Sequence, residues 1–411
     1  MNHTKPVHAP QDQFEVRDGC LQVGGMPLTR LAQRVGSTPF YAYERGLLSA
    51  RVDHLRTHLP PAVGLHYSVK ANPMPALVQH MAGLVDGLDV ASGGELKTAL
   101  DTPMLASAVS FTGPGKSVAD LERAIAAGVL INLESERELE AIAQAGERLG
   151  LAPRVALRVN PDFELKSSGM KMGGGPKQFG IDAELIPGVL ARIGELGIDF
   201  HGFHIYSGSQ SLKADAIIEA QANTLALAAR LAQHAPIPLR MLNIGGGFGI
   251  PYFPGERALD IAPIGDHLNT LLAKYKTQMP EMQVVLELGR YLVGEAGIYV
   301  ARVLDRKISR GQVFLVVDGG LHHHLAASGN FGQIIRKNYP VLVGNKILNG
   351  EKESVNVVGP LCTPLDLLAE GMNLPYAEVG DLIVVFQSGA YGLSASPTAF
   401  LGHPSPAEVL V

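Results

Sequence analysis

Eight short apolar segments alternate with helical patterns from Gly64 onward, and this alternation limits the possible folds more than any other feature of the chain. Strands that alternate with helices favour parallel βαβ units, and eight such units are typical of a closed α/β barrel, the (β/α)8 fold. The alternative is an open, doubly wound sheet whose strand order reverses once. The predicted strands are residues 65–70, 87–91, 109–112, 129–133, 154–159, 200–206, 241–244 and 283–288. The predicted helices include residues 117–127, 136–149, 183–196, 215–234 and 264–279.

The pattern changes after Gly294, where helical periodicity almost disappears and strand-like runs are separated by Gly, Asn and Pro turns. These runs predict an all-β C-terminal domain. An alternating N-terminal stretch that contains Asp18-Gly19 predicts a β-hairpin that joins this second domain. The predicted organisation is an N-terminal segment at 1–38, a barrel at 39–294 and a β-domain at 295–411.

Composition excludes several classes of protein. The chain has 411 residues, more than a single ordinary core holds, and a formal net charge of −5, which argues against a nucleic-acid partner. No apolar run is long enough to cross a bilayer, and the N-terminal sequence lacks the apolar region of a secretory signal. The two cysteines, Cys20 and Cys362, give no disulfide framework. We therefore expect a cytoplasmic protein without a membrane partner.

Lys70 stands at the end of the first predicted strand, immediately before Ala71-Asn72-Pro73. Lysine is rarely buried unless its charge is paired or used. One such use is covalent, because an amine with a lowered pKa forms a Schiff base with an aldehyde. The alternative is a lysine whose stem lies along the strand end while its ammonium reaches solvent.

The C-terminal ends of the other predicted strands carry polar groups, and in a (β/α)8 barrel those ends share one face. The glycines at 245–249 follow the seventh strand and allow backbone N–H groups to approach a phosphate, whereas Ile250-Pro251 excludes the dinucleotide fingerprint. Glu287 ends the eighth strand, where a carboxylate would keep a pyridine nitrogen protonated. The alternatives are a tight turn and a buried acid with a counter-ion. Lys70, the glycine loop and Glu287 together match the aldehyde, phosphate and ring nitrogen of pyridoxal 5'-phosphate.

Seven motifs, in order along nearly the whole chain, resemble those of the fold-type III pyridoxal-phosphate-dependent decarboxylases, the relatives of diaminopimelate, ornithine and arginine decarboxylases. The resemblance implies an alanine-racemase-like barrel with a C-terminal β-domain and pyridoxal 5'-phosphate as cofactor. It also implies a head-to-tail homodimer with active sites at the interface. The motifs are YSVKAN at 67–72, DVAS at 89–92, GSQ at 208–210, GGGFG at 245–249, ELGR at 287–290, GPLC at 359–362 and GAY at 389–391.

The resemblance also implies a role for each site residue. Lys70 forms the Schiff base, Glu287 pairs with the ring nitrogen, and Asp89 lies near the Schiff-base end of the cofactor. Cys362 comes from the second chain of the dimer and protonates the carbon that loses CO2, a step that suits a thiol because its pKa is closer to neutrality than that of a hydroxyl. A small buried hydrophobe is the alternative role for Cys362 and the expected one for Cys20. The remaining assignments are Ser209, Gly246, Gly247, Gly289, Arg290 and Tyr391 to the phosphate, and Arg158 and Asp366 to the substrate.

The chain departs from these decarboxylases at two positions. Tyr206 stands where they usually carry a histidine that stacks on the cofactor ring, and the nearest histidine is His204, so either residue is a candidate for this role. Thr363 follows Cys362 where diaminopimelate and ornithine decarboxylases have an acid that binds the distal amine of the substrate. The three consecutive histidines at 322–324 do not predict a metal site, because consecutive residues rarely converge on one ion.

These departures make the chain similar to a divergent branch of the family. That branch includes decarboxylases associated with exosortase gene clusters and decarboxylases that act on an aminoacyl group tethered to a carrier protein. A glycine-rich insert at 167–175 predicts a mobile loop at the substrate entrance. The predicted function is pyridoxal-phosphate-dependent decarboxylation of a diaminopimelate-, ornithine- or lysine-like amino acid, or of a tethered aminoacyl group. The alternatives are an amino-acid racemase and a non-catalytic pyridoxal-phosphate-binding protein.

Overall fold

The computed structural model of the protein describes residues 6–166, 169–348 and 350–411, apart from the side chain of Lys171. These residues form two compact units. The first contains Arg51–Ile250 and Leu259–Tyr291, and the second combines the N-terminal residues up to Ala50 with Pro251–Ala258 and Leu292–Val411. The domain boundaries at residues 38 and 294 stay a prediction.

The first unit is a closed barrel of eight parallel strands, in which each strand pairs with the next and the eighth pairs with the first. Closure confirms the (β/α)8 prediction and excludes the open sheet. The strand bounds differ from the predicted ones by at most two residues. The barrel strands are Gly64–Ser68, Gly87–Val90, Val109–Phe111, Leu130–Leu133, Arg154–Asn160, Asp199–Ile205, Met241–Asn243 and Gln283–Leu288.

Helices follow the barrel strands, and several of them are bounded by side-chain or glycine caps. For example, Ser135 Oγ accepts the N–H of Glu138 at the start of Glu136–Leu149, and Gly150 ends that helix with a φ of 64°. Helix Gly93–Leu100 follows the second strand and is not among the predicted helices. The helices are Leu28–Val35, Arg45–His58, Pro75–Ala82, Gly93–Leu100, Val118–Ala127, Glu136–Leu149, Ile186–Leu196, Ala214–Leu231, Ala262–Tyr275 and Arg290–Val293. Short 3-10 helices cover Val69–Ala71, Ala106–Ala108, Ala232–His234, Gly294–Ala296, Leu393–Ala395 and Phe400–Gly402.

The second unit is built mainly from strands, as predicted. Its longest strand, Gly297–Ser309, pairs antiparallel with three neighbours, including the N-terminal strand Phe40–Tyr43. Strand Leu367–Pro375 was not predicted. The larger sheet contains Phe40–Tyr43, Gly297–Ser309, Gln312–Val317, Val341–Val343, Lys352–Val358, Leu367–Pro375, Leu382–Val385 and Ala407–Leu410. The short strands elsewhere in the chain are Val16–Arg17, Cys20–Val23, Met26–Pro27, Met170–Lys171, Ile181–Asp182 and Gly208–Ser209.

The N-terminal hairpin forms where it was predicted. Val16–Arg17 pairs with Cys20–Val23 around Asp18 and Gly19, whose φ angles of 50° and 72° suit a tight two-residue turn. The hairpin belongs to the second unit, because Leu21 donates its N–H to Gly344 O and its side chain joins the core of that unit. Within the described ranges, we find no helix whose length and apolar character would let it cross a membrane.

Candidate active site

Lys70 lies in the single-turn helix Val69–Ala71 that directly follows the first barrel strand. The prediction that the strand extends to Lys70 is wrong, because the strand ends at Ser68. Lys70 is half-buried, and its Nζ lies 5.7 Å from the ring centroid of Tyr206. An aromatic face at this distance attracts an ammonium group and gives Lys70 a defined position at the mouth of the barrel.

Asp89, on the second barrel strand, is one of two buried acids beside Lys70. Its Oδ1 accepts hydrogen bonds from Ser110 Oγ at 2.8 Å and from Thr112 Oγ1. Its Oδ2 is buried and has no hydrogen-bond partner among the residues that the structure describes. Burial, followed by the negative charge of Glu287, raises the pKa of Asp89 well above its usual value, although Lys70 opposes this shift.

Glu287, on the eighth strand, is the second buried acid, and three side chains approach its carboxylate. Ser68 Oγ donates to Oε1 at 3.3 Å, Asn243 Nδ2 donates to Oε2 at 3.2 Å, and His204 Nε2 lies 3.0 Å from Oε2. Burial alone would raise the pKa of Glu287. The contact with His204 and the charges of Lys70 and Arg158 outweigh burial and hold this pKa below its usual value. The site therefore holds one acid that favours protonation beside one that stays ionised.

The strand register explains why His204, Arg158 and Asn243 lie close to one another. His204 lies opposite Arg158 on one neighbouring strand and opposite Asn243 on the other. Residues in the same register of a barrel point into the same interior layer when they face inward. All three side chains are almost completely buried, so the layer below the barrel mouth is polar rather than aliphatic.

The glycine loop at 245–249 follows the seventh strand, as predicted, and its glycines leave no room for side chains. A Cβ on Gly247, whose φ is 79°, would lie 2.7 Å from Gly208 O, and a Cβ on Gly246 would meet Glu287 O. Gly289 is similarly constrained, because a Cβ at this position would lie 2.9 Å from the Cβ of Ala71. Ser209 Oγ lies in the adjoining strand, is buried, and has no hydrogen-bond partner within the described ranges. A buried hydroxyl without a partner beside a glycine cradle indicates a binding site for a polar group.

Arg290 and the described part of the insert, residues 169–175, follow the C-terminal ends of barrel strands. Arg290 begins the short helix that follows the eighth strand. In the insert, Met170–Lys171 pairs antiparallel with Gly208–Ser209, so part of this segment is a strand that contacts the Ser209 backbone. The sequence did not indicate this pairing. Residues 167 and 168 lie outside the described residues.

Arg158 is held in a buried ion pair. Its Nη1 lies 2.8 Å from Glu134 Oε1, and its guanidinium lies 4.8 Å from the ring centroid of Phe179. Glu134 also accepts the N–H groups of Gly113 and Gly180. These contacts favour a role in positioning neighbouring loops, and substrate binding by Arg158 stays a prediction. Glu134 was not predicted as a site residue, although it directly follows the fourth strand and polar groups at the C-terminal ends of barrel strands are candidates for the site.

The remaining predicted site residues belong to the second unit. Cys362 is exposed, on the loop between strands Lys352–Val358 and Leu367–Pro375. Asp366 is buried, and its two carboxylate oxygens accept the N–H groups of Leu321 at 2.6 Å and Leu361 at 2.8 Å. Asp366 therefore fixes the loop that carries Cys362, and a direct contact with substrate stays a prediction. Tyr391 has a φ of 53°, a left-handed conformation that is uncommon for a tyrosine.

Comparison with known proteins gives a consistent result. The family model described as pyridoxal-dependent decarboxylase, pyridoxal binding domain, matches residues 45–294. The chain is 41% identical to the L-glutamyl-(BtrI acyl-carrier protein) decarboxylase of Niallia circulans, over 93% of this chain and 90% of that protein. It is 32% identical to the diaminopimelate decarboxylase of Aquifex aeolicus, over 97% of this chain and 92% of that protein. The solved structure of diaminopimelate decarboxylase from M. jannaschii with L-lysine superimposes with a TM-score of 0.87 at 25% identity, over 97% of this chain and 92% of that one.

Proposed function

The chain belongs to the pyridoxal-dependent decarboxylase family, and from this premise we propose that it decarboxylates an amino acid tethered to a carrier protein. Decarboxylation at the α carbon needs a free α-amino group to react with the cofactor aldehyde and a free α-carboxylate to leave as CO2. The tether must therefore join the side chain of the substrate, and a glutamyl group linked through its side-chain carboxyl meets this requirement.

The observation that carries this proposal is the loop that holds Cys362. A free substrate with a distal ammonium group requires a carboxylate partner, because an unpaired buried charge is costly. Thr363 follows Cys362, and the only acid in residues 359–366 is Asp366, whose two oxygens accept backbone N–H groups. A neutral thioester needs no such partner. This difference supports a tethered substrate over lysine, ornithine or diaminopimelate.

The barrel residues fit pyridoxal 5'-phosphate. The glycine cradle and the Ser209 hydroxyl, which has no partner among the described residues, suit a phosphate. The ionised Glu287 suits a protonated ring nitrogen. Lys70 would hold the aldehyde carbon, and Asp89 would lie beside it. Gly246, Gly247, Gly289, Arg290 and Tyr391 would complete the phosphate site, and the Tyr206 ring would lie against the cofactor ring. The chemistry that the cofactor supplies here is an electron sink for the electrons that departing CO2 leaves behind.

The protein residues would then control protons. Glu287 would hold the proton at the ring nitrogen, and Lys70 would exchange its place with the substrate amine and later release the product amine. Cys362 would return one proton to the α carbon. Each of these roles places a titratable atom at a position where charge develops or disappears.

We propose that the protein is a homodimer, as expected for the family, in which a second copy contributes Cys362. Exposed apolar side chains lie on the loop of Cys362 and on the segment after Asn330, with relative exposures of 58% for Leu365, 43% for Phe331 and 102% for Ile334. Asn330 Nδ2 donates to Leu365 O at 3.2 Å and so links the two exposed segments. Exposed apolar surface of this kind is typical of a protein interface. The cytoplasmic location stays a prediction.

The test compares substrates with the purified full-length protein reconstituted with pyridoxal 5'-phosphate. We expect CO2 release from an L-glutamyl side-chain thioester of pantetheine or of a phosphopantetheinylated carrier protein, and little from free glutamate, lysine, ornithine or diaminopimelate. Faster turnover of free diaminopimelate than of the thioester would contradict the tethered substrate. Interconversion of enantiomers without CO2 would instead identify a racemase. The Lys70→Ala variant is the control and should release no CO2 from any substrate.

A further inference from the structure

His204 occupies a position that its sequence context did not reveal. It lies on the sixth barrel strand, Asp199–Ile205, and is 1% exposed. Its Nε2 is 3.0 Å from Oε2 of Glu287, which is 2% exposed. A histidine and a carboxylate that meet away from solvent interact strongly, because water does not screen the contact.

The surroundings of His204 define its protonation state. A hydrogen on Nε2 is stabilised by the nearby ionised carboxylate, which favours the Nε2–H tautomer and leaves Nδ1 as the unprotonated nitrogen. Neither ring nitrogen makes a hydrogen bond of full geometry in the described part of the chain, so the assignment rests on the 3.0 Å approach of Nε2 to Glu287 Oε2. Burial, assisted by the positive charge of Arg158, lowers the pKa of His204, although Glu287 and Glu134 oppose this shift. His204 is therefore neutral at neutral pH, and its Nε2 faces the carboxylate of Glu287.

A hydrogen-bond donor beside Glu287 affects which group holds the proton that lies between the carboxylate and the pyridine nitrogen of the cofactor. When a carboxylate faces a pyridine nitrogen, one proton lies between them, and it moves to the more basic partner. A hydrogen bond from a third group stabilises the carboxylate anion and lowers its proton affinity. The proton then stays on nitrogen, which is the form that accepts electrons well.

We propose that His204 is a positioning residue that keeps Glu287 ionised and oriented toward the ring nitrogen of bound pyridoxal 5'-phosphate. This inference rests on the proposed function, because it requires Glu287 to face that nitrogen. It assigns His204 to the carboxylate rather than to stacking on the cofactor ring, and leaves the stacking position to Tyr206. His204 acts through Glu287 and touches neither substrate nor the reacting atoms.

The barrel offers a matched control on the same strand. His201 Nε2 lies 2.9 Å from Asp199 Oδ2, so it also forms a histidine–carboxylate pair. This pair lies at the N-terminal end of the strand, whereas His204 lies near the C-terminal end, where the predicted active site is. His201→Leu removes a comparable pair without affecting Glu287.

The experiment measures the affinity of the full-length apoprotein for two ligands, pyridoxal 5'-phosphate and its analogue with CH in place of the ring nitrogen. The ratio of the two dissociation constants reports the contact at the ring nitrogen alone. We expect His204→Leu to reduce the preference for the natural cofactor by about tenfold, because the imidazole N–H group that faces the charged carboxylate is lost. His204→Gln, whose amide can donate to Glu287, and His201→Leu should keep the preference of the wild type.

An equal loss of affinity for both ligands in His204→Leu, with an unchanged ratio, would show a merely structural role and overturn the inference. Failure of the wild-type protein to bind pyridoxal 5'-phosphate at all would overturn the proposed function instead.

A second measurement uses the wild-type protein and so does not depend on how a variant folds. In the wild-type holoenzyme labelled with 15N-histidine, NMR should show His204 protonated at Nε2 and not at Nδ1. A cationic ring or the Nδ1–H tautomer would contradict the inference.

Discussion

Arg158 Nη1 lies 2.8 Å from Glu134 Oε1 inside the barrel, and the two side chains are only 7% and 3% exposed. Removal of one member of such a pair leaves an uncompensated buried charge. We expect Glu134→Leu to lower the free energy of unfolding by about 3 to 5 kcal/mol, measured by urea denaturation of the protein with cofactor bound.

The matched control for this pair is Glu140→Leu. Glu140 contacts Arg192 at 2.9 Å, but both side chains are about half exposed, with values of 47% and 45%. Solvent screens this ion pair, so the variant should unfold at nearly the same urea concentration as the wild type. Equal losses in the two variants would contradict the importance of burial for the Arg158–Glu134 pair.

Ser209→Ala tests the proposed phosphate site. Because Ser209 Oγ has no partner among the described residues, its removal should change the stability of the apoprotein little. The affinity for pyridoxal 5'-phosphate should fall by about tenfold, since a hydrogen bond to a charged group is lost. Fluorescence titration of the apoprotein measures both the wild type and the variant.

Ser211→Ala is the control for Ser209. Ser211 is fully buried, but its Oγ accepts the N–H of Lys213 at 3.4 Å, so its hydroxyl already has a partner within the protein. We expect this variant to lose some stability while its cofactor affinity stays close to that of the wild type. Loss of affinity in Ser211→Ala but not in Ser209→Ala would move the phosphate site away from Ser209.

Much of this site could be predicted from the sequence because it consists of strand ends. The alternation of apolar and helical segments locates the eight strands, and Lys70, Asp89 and Glu287 then share one end of the barrel by geometry alone. The contacts between these strands could not be predicted. His204 meets Glu287 because of the register of three neighbouring strands, and register is a property of the closed sheet rather than of any local segment.

The roles assigned to Arg158 and Asp366 show a second limit of sequence reasoning. Each residue type suits substrate binding, but each side chain is buried against a partner that is distant in the chain, Glu134 for Arg158 and the N–H group of Leu321 for Asp366. Strand Leu367–Pro375 was missed for a related reason. It contains the polar run Glu370-Gly371, which lacks the alternation of a half-buried strand.

Gly247→Ala tests the shape of the glycine loop. The new Cβ would require a left-handed φ of 79° and would lie 2.7 Å from Gly208 O, so the loop must move. We expect cofactor affinity to fall by more than about tenfold, measured by absorbance titration. Gly128→Ala is the control, because Gly128 has a similar φ of 73° but open space around the new Cβ. Backbone strain alone should lower the free energy of unfolding of Gly128→Ala by about 1 kcal/mol, and its cofactor affinity should equal that of the wild type.

Asp366→Asn separates two roles for this residue. If Asp366 positions the loop of Cys362, the variant should lower kcat about tenfold or more while KM and cofactor affinity change little, because Asn offers one good acceptor where Asp offers two. A raised KM with unchanged kcat would instead support the predicted contact with substrate. Asp305→Asn, an exposed acid in the same unit, serves as the control and should change neither parameter.

Acidification should destabilise the protein through the buried histidines of the second unit. Burial lowers the pKa of His324 to about 3, and burial also lowers the pKa values of His322 and His323 to about 4, compared with 6.5 in an unfolded chain. Below pH 6.5 the unfolded state binds protons that the folded state excludes, so stability that is fully present above pH 6.5 declines as the pH falls toward 3. His324 alone should contribute a slope of about 1.4 kcal/mol per pH unit between about pH 6 and pH 4.

Urea unfolding of wild type and His324→Gln at about pH 8, 7, 6 and 5 tests this pH dependence of stability. The two proteins should differ by a constant amount at the two higher pH values, and the difference should shrink at the two lower ones. A difference that stays constant over the whole range would show that His324 is not the group that titrates.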